Sequence, residues 1–305
     1  MKDTPVGFIG LGRMGVGMAR NLSKSGVPLW VHDVNPTAAE ALGETNISAV
    51  TTPTELAERT QLVFVCVPSE TESDSVLFGE QGITTNTDGL TIVDLTTMNR
   101  GAAITLSQRA QDAGCTYFDC PISGKPFRAD AGTLTIMFGG TDEGFAYAKP
   151  YLDVMGECVV HCGEVGSGQL MKALNNIVYD VNIAAICEIM PLAVKAGLEP
   201  TTLARVLTTA SGRSFASEYF AQRILDREFE GDFTLRGAYK DIVNFKAVAA
   251  QLGASLPVVN AMIATYEATI NEGYGDQPKS AMIKRYEAQL KQEVRRHENP
   301  NKHAS

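Results

Sequence analysis

At 305 residues the chain is long enough for about two domains, each able to bury its own core. With 44% hydrophobic and 20% charged residues it has the make-up of a globular protein, and its net charge of −9 argues against phosphate-backbone binding, so no nucleic-acid partner is expected. No apolar run reads as long enough for a membrane span, no secretory signal is expected from the residues before the first strand, and six cysteines in so long a chain read as reduced thiols, which together predict a cytoplasmic protein away from membranes.

The first predicted element is a buried strand, Val6-Gly7-Phe8-Ile9, running into Gly10-Leu11-Gly12-Arg13-Met14-Gly15 and then a helix over 16–24. In such a turn the first glycine permits the sharp reversal, the second lets the backbone approach a pyrophosphate, and the third lets helix and strand pack closely. The helix N-terminus offers free N–H groups to phosphates. A second strand over 27–32 ends at Asp33, about 20 residues beyond Gly12 and placed to accept hydrogen bonds from an adenosine ribose. Helices are expected over 37–42 and 53–59, then a continuous apolar strand over 62–67 stopped by Pro68. A turn at Asp88-Gly89 precedes a strand over 91–95, a helix over 102–113 and a strand over 115–119, with further short strands over 133–138 and 158–162. Cys158, His161 and Cys162 sit on the last of these with alternating faces, so no metal site is assigned.

The pattern changes near Gly163. The segment 170–196 reads as one long helix, apolar nearly all round over 183–193, suited to a core or a dimer contact. Helices follow over 200–209, 214–226, 236–252, 257–272 and 280–296. The fold class is therefore α/β: an N-terminal Rossmann doubly wound sheet over 1–164, an all-helical domain over 165–296 and a polar tail over 297–305.

Three further segments carry polar groups among small residues. Asp119-Cys120-Pro121-Ile122-Ser123-Gly124 ends a strand where open α/β sheets bind ligands; the Ser123 hydroxyl with the N–H groups of Gly124 and Lys125 either holds a carboxylate or is an ordinary turn. In Gly166-Ser167-Gly168-Gln169-Leu170-Met171-Lys172, Lys172 and Asn176 are neighbours on one helical face. Lys172 is either a desolvated amine able to exchange a proton or a lysine whose amine reaches water. Lys240 beside Asp241, and Arg213 between two helices, are either solvated surface charges or substrate and cofactor contacts.

The order GLGRMGVGMARNL, DCPISG…GTL, GSGQLMKALNN and YKD resembles the β-hydroxyacid dehydrogenase family, of the 3-hydroxyisobutyrate dehydrogenase type, from Val6 to about Arg285. That resemblance implies a substrate between a Rossmann and a helical domain, and a homodimer or homotetramer built on the long helix. It implies that Gly10, Leu11, Gly12, Arg13, Met14 and Gly15 bind the dinucleotide, with Val67, Pro68 and Thr97 lining the nicotinamide side. By the same resemblance Ser123 and Gly124 hold the carboxylate of a small substrate, Lys172 is the acid/base, Asn176 orients the substrate, and Lys240 closes the site. Where the family commonly has a second glycine after Ser-Gly, this chain has Lys125 and Pro126, which either alters the cradle or adds a cation for a doubly charged substrate. Asp33-Val34-Asn35-Pro36 favours NAD over NADP, because a carboxylate repels a 2′-phosphate. A semialdehyde-acid reductase of the same family and a non-catalytic dinucleotide sensor are the alternatives; Lys172 and Asn176 weigh against the second.

Overall fold

The computed structural model describes residues 4–43, 46–85, 89–231 and 233–296. Asp88 of the expected turn and the tail 297–305 lie outside the described residues. The chain divides into two compact units, Met1–Lys172 and Ala173–Ser305.

The first unit runs β1 (Val6–Ile9), α1 (Gly15–Lys24), β2 (Leu29–His32), β3 (Ile47–Ala49), α2 (Pro53–Ala57), β4 (Leu62–Val65), α3 (Glu70–Phe78), β5 (Thr91–Asp94), α4 (Arg100–Asp112) and β6 (Thr116–Asp119). These strands form one parallel sheet in the order β3-β2-β1-β4-β5-β6, the crossover falling between β1 and β4. The apolar strands are buried on both faces, as a parallel sheet with helices on each side requires. Side-chain alternation sorts them: Phe8, Leu62, Phe64 and Val93 join one core, while Ile9, Val63, Val65 and Ile92 join the other. A smaller sheet follows, with β7 (Ile122–Ser123), β8 (Leu134–Phe138) and β9 (Gly156–His161) in that order, interleaved with α5 (Pro126–Ala131) and α6 (Asp142–Leu152). The strands expected over 133–138 and 158–162 thus belong to a separate sheet.

Several elements differ from expectation. The helix over 37–42 is only a 3-10 turn, Glu40–Leu42, closed by Gly43 in the left-handed region. Strands β3 and β7 are too short to show a period, α3 and α5 carry few apolar residues in helical register, and α6 has Pro150 inside it.

The helix α7 (Ser167–Lys195) crosses the division between the units. By length and composition it would pass for a membrane span, which corrects the expectation that no such run exists. Its apolarity has a use in the second unit's core, where Ile183, Cys187 and Met190 are fully buried. That core is completed by α8 (Pro200–Thr209), α9 (Phe215–Leu225), α10 (Leu235–Gln251), α11 (Pro257–Thr269) and α12 (Met282–Leu290), which contribute Ala204, Phe220, Ile242, Tyr266 and Met282. The last expected helix stops at Leu290 because Lys291 adopts a left-handed conformation, φ 51°. Other faces of α7 are not buried: Leu174, Val178, Ile189 and Leu192 are exposed at spacings of three to four and their multiples, one apolar stripe along the helix.

Candidate active site

The glycine turn closes over backbone. Gly10 has φ +95°, and a Cβ there would stand 2.1 Å from the Cys66 carbonyl oxygen. A Cβ on Gly15, the first residue of α1, would stand 1.8 Å from the carbonyl oxygen of Gly10. Gly12 is different: nothing lies within 4 Å of the position its Cβ would take. The first and third glycines are therefore demanded by the fold, whereas the second keeps an open face at a helix N-terminus, which fits a pyrophosphate. Arg13 is exposed and Met14 half-buried beside it. Asp33 turns both oxygens to main chain, accepting from Leu11 N–H at 2.6 Å and Asn35 N–H at 2.7 Å. Each oxygen keeps a lone pair for a ribose hydroxyl.

Half-buried Val67 and exposed Pro68 follow β4, and exposed Thr97 follows β5. Thr96, buried, joins the two loops: its Oγ1 accepts from Val67 N–H at 3.1 Å, and its own N–H donates to Asp94 Oδ1 at 2.9 Å.

Ser123 is half-buried at the end of β7, and Gly124 has φ +145° with Leu134 and Arg128 against its open side. Lys125 is the N-cap of α5 and Pro126 its first residue. Proline at that position lacks only an N–H that no helix would use, so Lys125-Pro126 is a helix start.

The N-terminus of α7 is built around a carboxylate. Asp119, the last residue of β6 and fully buried, accepts from Gly166 N–H at 2.6 Å and Gln169 N–H at 2.8 Å. A Cβ on Gly168 would stand 2.4 Å from Met137 O and 2.8 Å from Asp119 Oδ2, and one on Gly139 would stand 2.3 Å from Asp119 Oδ1. Burial pushes the Asp119 carboxyl up to about 6, while the two N–H donors pull it down. Asp94, its register partner on β5, is likewise pushed up to about 6 by burial, against the hydrogen bonds from Thr96 and Tyr117. From this anchored turn the Gln169 side chain reaches the loop after β5, accepting from Met98 N–H at 3.0 Å and donating to Thr96 O at 2.8 Å. Half-buried Lys172 follows one turn later, and half-buried Asn176 one turn beyond that.

In the second unit, Arg213 lies between α8 and α9, exposed, with its Nε 2.5 Å from Glu218 Oε1. Lys240 is exposed on α10, next to Tyr239, whose hydroxyl donates to Glu267 at 2.6 Å. Asp180, on α7 one turn beyond Asn176, is buried with Lys279 and accepts from the Tyr266 hydroxyl at 3.0 Å. Among the described residues no three His, Cys, Asp or Glu side chains gather as a metal site.

Sequence reasoning assigned no role to Thr96, Asp119 or Gln169. The available signal was Gly166-x-Gly168 ahead of a helix, a spacing that asks which group comes close enough to forbid a side chain.

Residues 5–163 match the family model for the NAD binding domain of 6-phosphogluconate dehydrogenase. Residues 166–286 match the model for NAD-binding of NADP-dependent 3-hydroxyisobutyrate dehydrogenase. The chain is 36% identical over 218 residues to the mitochondrial 3-hydroxyisobutyrate dehydrogenase of Mus musculus, covering 71% of this chain but 65% of that enzyme, just under two thirds of its length. It is 31% identical over 288 residues to the 2-(hydroxymethyl)glutarate dehydrogenase of Eubacterium barkeri, covering 94% and 96% of the two chains. Among solved structures, a 3-hydroxyisobutyrate dehydrogenase from Salmonella typhimurium superposes with a TM-score of 0.82 at 28% identity, covering 92% of this chain and 99% of the other.

Proposed function

Since the chain belongs to the 3-hydroxyisobutyrate dehydrogenase-like family of dinucleotide-dependent oxidoreductases acting on small hydroxy- and keto-acids, we propose that it catalyses reversible oxidation of a β-hydroxyacid, 3-hydroxyisobutyrate or a close analogue, with NAD. The nicotinamide supplies the hydride acceptor when bound. The open face of Gly12 and the N–H groups at the start of α1 take the pyrophosphate, and Asp33 takes the adenosine ribose. Val67, Pro68 and Thr97 border the nicotinamide side.

Ser123 and Gly124 receive the substrate carboxylate, Lys125 adding a cation and Arg213 serving a distal anion. Lys172 takes the hydroxyl proton in oxidation and returns it in reduction, Asn176 orients the substrate beside it, and Lys240 closes the site. The exposed stripe on α7 serves homo-oligomer assembly.

What supports this reading most is the bond pair from Gln169 to the backbone on either side of Thr97, one helical turn before Lys172. The test is a panel of β-hydroxyacids and semialdehyde acids with NAD and NADP. A mono- or dicarboxylate β-hydroxyacid is expected as the best substrate, with higher kcat/KM for NAD. Lys172→Ala is expected to keep cofactor binding and lose roughly 10²–10⁴-fold in turnover; full turnover in that variant removes Lys172 from the reaction, and a clear NADP preference removes Asp33 from the ribose.

A further inference from the structure

The first turn of α7 is held twice, by its backbone and by a side chain. Asp119 grips the main-chain N–H groups of Gly166 and Gln169. The Gln169 amide, 2% exposed, lies along the loop after β5, its oxygen on Met98 N–H and its nitrogen on Thr96 O. Thr96 passes the contact on through the Val67 N–H to the loop after β4. One glutamine thus joins both loops assigned to the nicotinamide side to the helical turn that precedes Lys172.

We infer that Gln169 is a positioning residue for the reaction, holding the Thr96–Met98 loop and Lys172 in a fixed mutual geometry through the anchored start of α7. The inference rests on the reading of Lys172 as acid/base. The chemistry of the contact is selective. A carbonyl and an N–H two residues apart demand one donor and one acceptor on a single planar group, which an amide supplies. A glutamic acid supplies the same pair only while protonated, because its carboxylate would face the Thr96 carbonyl oxygen. Leucine supplies neither and leaves both backbone groups without partners in a buried place. Released in that way, the loop shifts, and a displacement of about 1 Å between reacting groups is worth on the order of 10²-fold in rate.

The experiment compares wild type, K172A, Q169L and Q169E. Turnover and KM are measured from pH 5.5 to 8.5, NADH binding by fluorescence, and amide hydrogen exchange at Met98 in the cofactor-free protein. Q169L is expected to exchange Met98 N–H faster and to lose roughly 10–100-fold in kcat at every pH, with substrate KM within about threefold. Q169E is expected to approach wild type at the acid end and to fall away by tenfold or more toward pH 8.5, a profile that a generally loosened fold does not produce. Should Q169L fail to fold, the pH profile of Q169E decides alone. If K172A is inactive while the Gln169 variants keep wild-type kcat and pH profile, the positioning role is overturned and the assignment of Lys172 stands. If K172A turns over normally, the assignment of Lys172 falls and the role of Gln169 falls with it.

Discussion

Replacing Gly12 by alanine separates what the glycine turn does for the fold from what it does for the cofactor. A Cβ at Gly12 meets nothing within 4 Å and the residue is not in the left-handed region, so the folded protein accommodates the methyl group. Alanine also narrows the unfolded ensemble, an effect of about 0.4–1 kcal/mol in favour of the folded state. At about 2–4 °C per kcal/mol for a unit of this size, the cofactor-free protein should melt at the wild-type temperature or a few degrees above it. Dinucleotide binding should move the other way. The methyl group stands where the pyrophosphate is proposed to approach, and losing one charge-assisted hydrogen bond costs about 1.5–3 kcal/mol, or roughly 10–150-fold in Kd. The contrasting change is Gly15→Ala, whose Cβ would lie 1.8 Å from the Gly10 carbonyl oxygen and 2.9 Å from its carbon. Backbone cannot rotate away as a side chain can, so this variant should lose about 1–3 kcal/mol or more of stability along with binding. The assays are thermal unfolding without cofactor and fluorescence titration with NADH. Wild-type affinity in Gly12→Ala would refute the placement of the pyrophosphate on that face of the turn.

Asp94 is pushed up to about 6 by burial, so between about pH 4 and 6 the folded protein binds more protons than the unfolded chain, and its contribution to stability falls as pH rises through that window. The margin of wild type over Asp94→Asn in urea unfolding should therefore shrink by about 2 kcal/mol from pH 4 to 7; a margin that grows with pH refutes the sign. Asp180→Asn leaves the buried Lys279 amine without its counter-charge and should cost about 3–5 kcal/mol, most of it recovered in Asp180→Asn with Lys279→Met, as denaturant titration of the three variants would show. Val178→Glu puts a charge in the exposed apolar stripe of α7 and should lower the mass measured by light scattering while leaving the helix content unchanged.

The sheet was legible wherever a strand is buried on both faces, since Leu62–Val65 and Val6–Ile9 admit no other reading as short apolar runs flanked by turn residues. The edge strand Ile47–Ala49 was not, because three residues, one half-buried and two exposed, carry no period. The helix α6 escaped because Pro150 stands inside it, a residue that ordinarily ends a helix, although Ala148, Tyr151 and Leu152 are buried on one face and Thr141 caps it by accepting from Gly144 N–H. At the candidate site, the glycine turn was readable from spacing, while the role proposed for Lys172 came from the family resemblance alone. Asp119 and Gln169 were not readable, because their partners are backbone groups 47 to 73 residues away, and a main-chain partner leaves no trace in residue type.

The two main-chain bonds of Asp33 carry a consequence for redesign. Exchanging an acidic residue at the ribose for a neutral one is the obvious way to admit a phosphorylated dinucleotide, yet here the same carboxylate fastens Leu11 of the glycine turn and Asn35 of the following loop. On the proposed placement of the ribose at Asp33, selectivity and the rigidity of the binding loop rest on one side chain and cannot be adjusted separately at that position. Val34, almost wholly exposed, has no such second duty. On the proposed placement of the ribose, an arginine introduced there adds a cation for a phosphate while Asp33 goes on fastening the loop, so a change of cofactor in this scaffold would begin next to the acid.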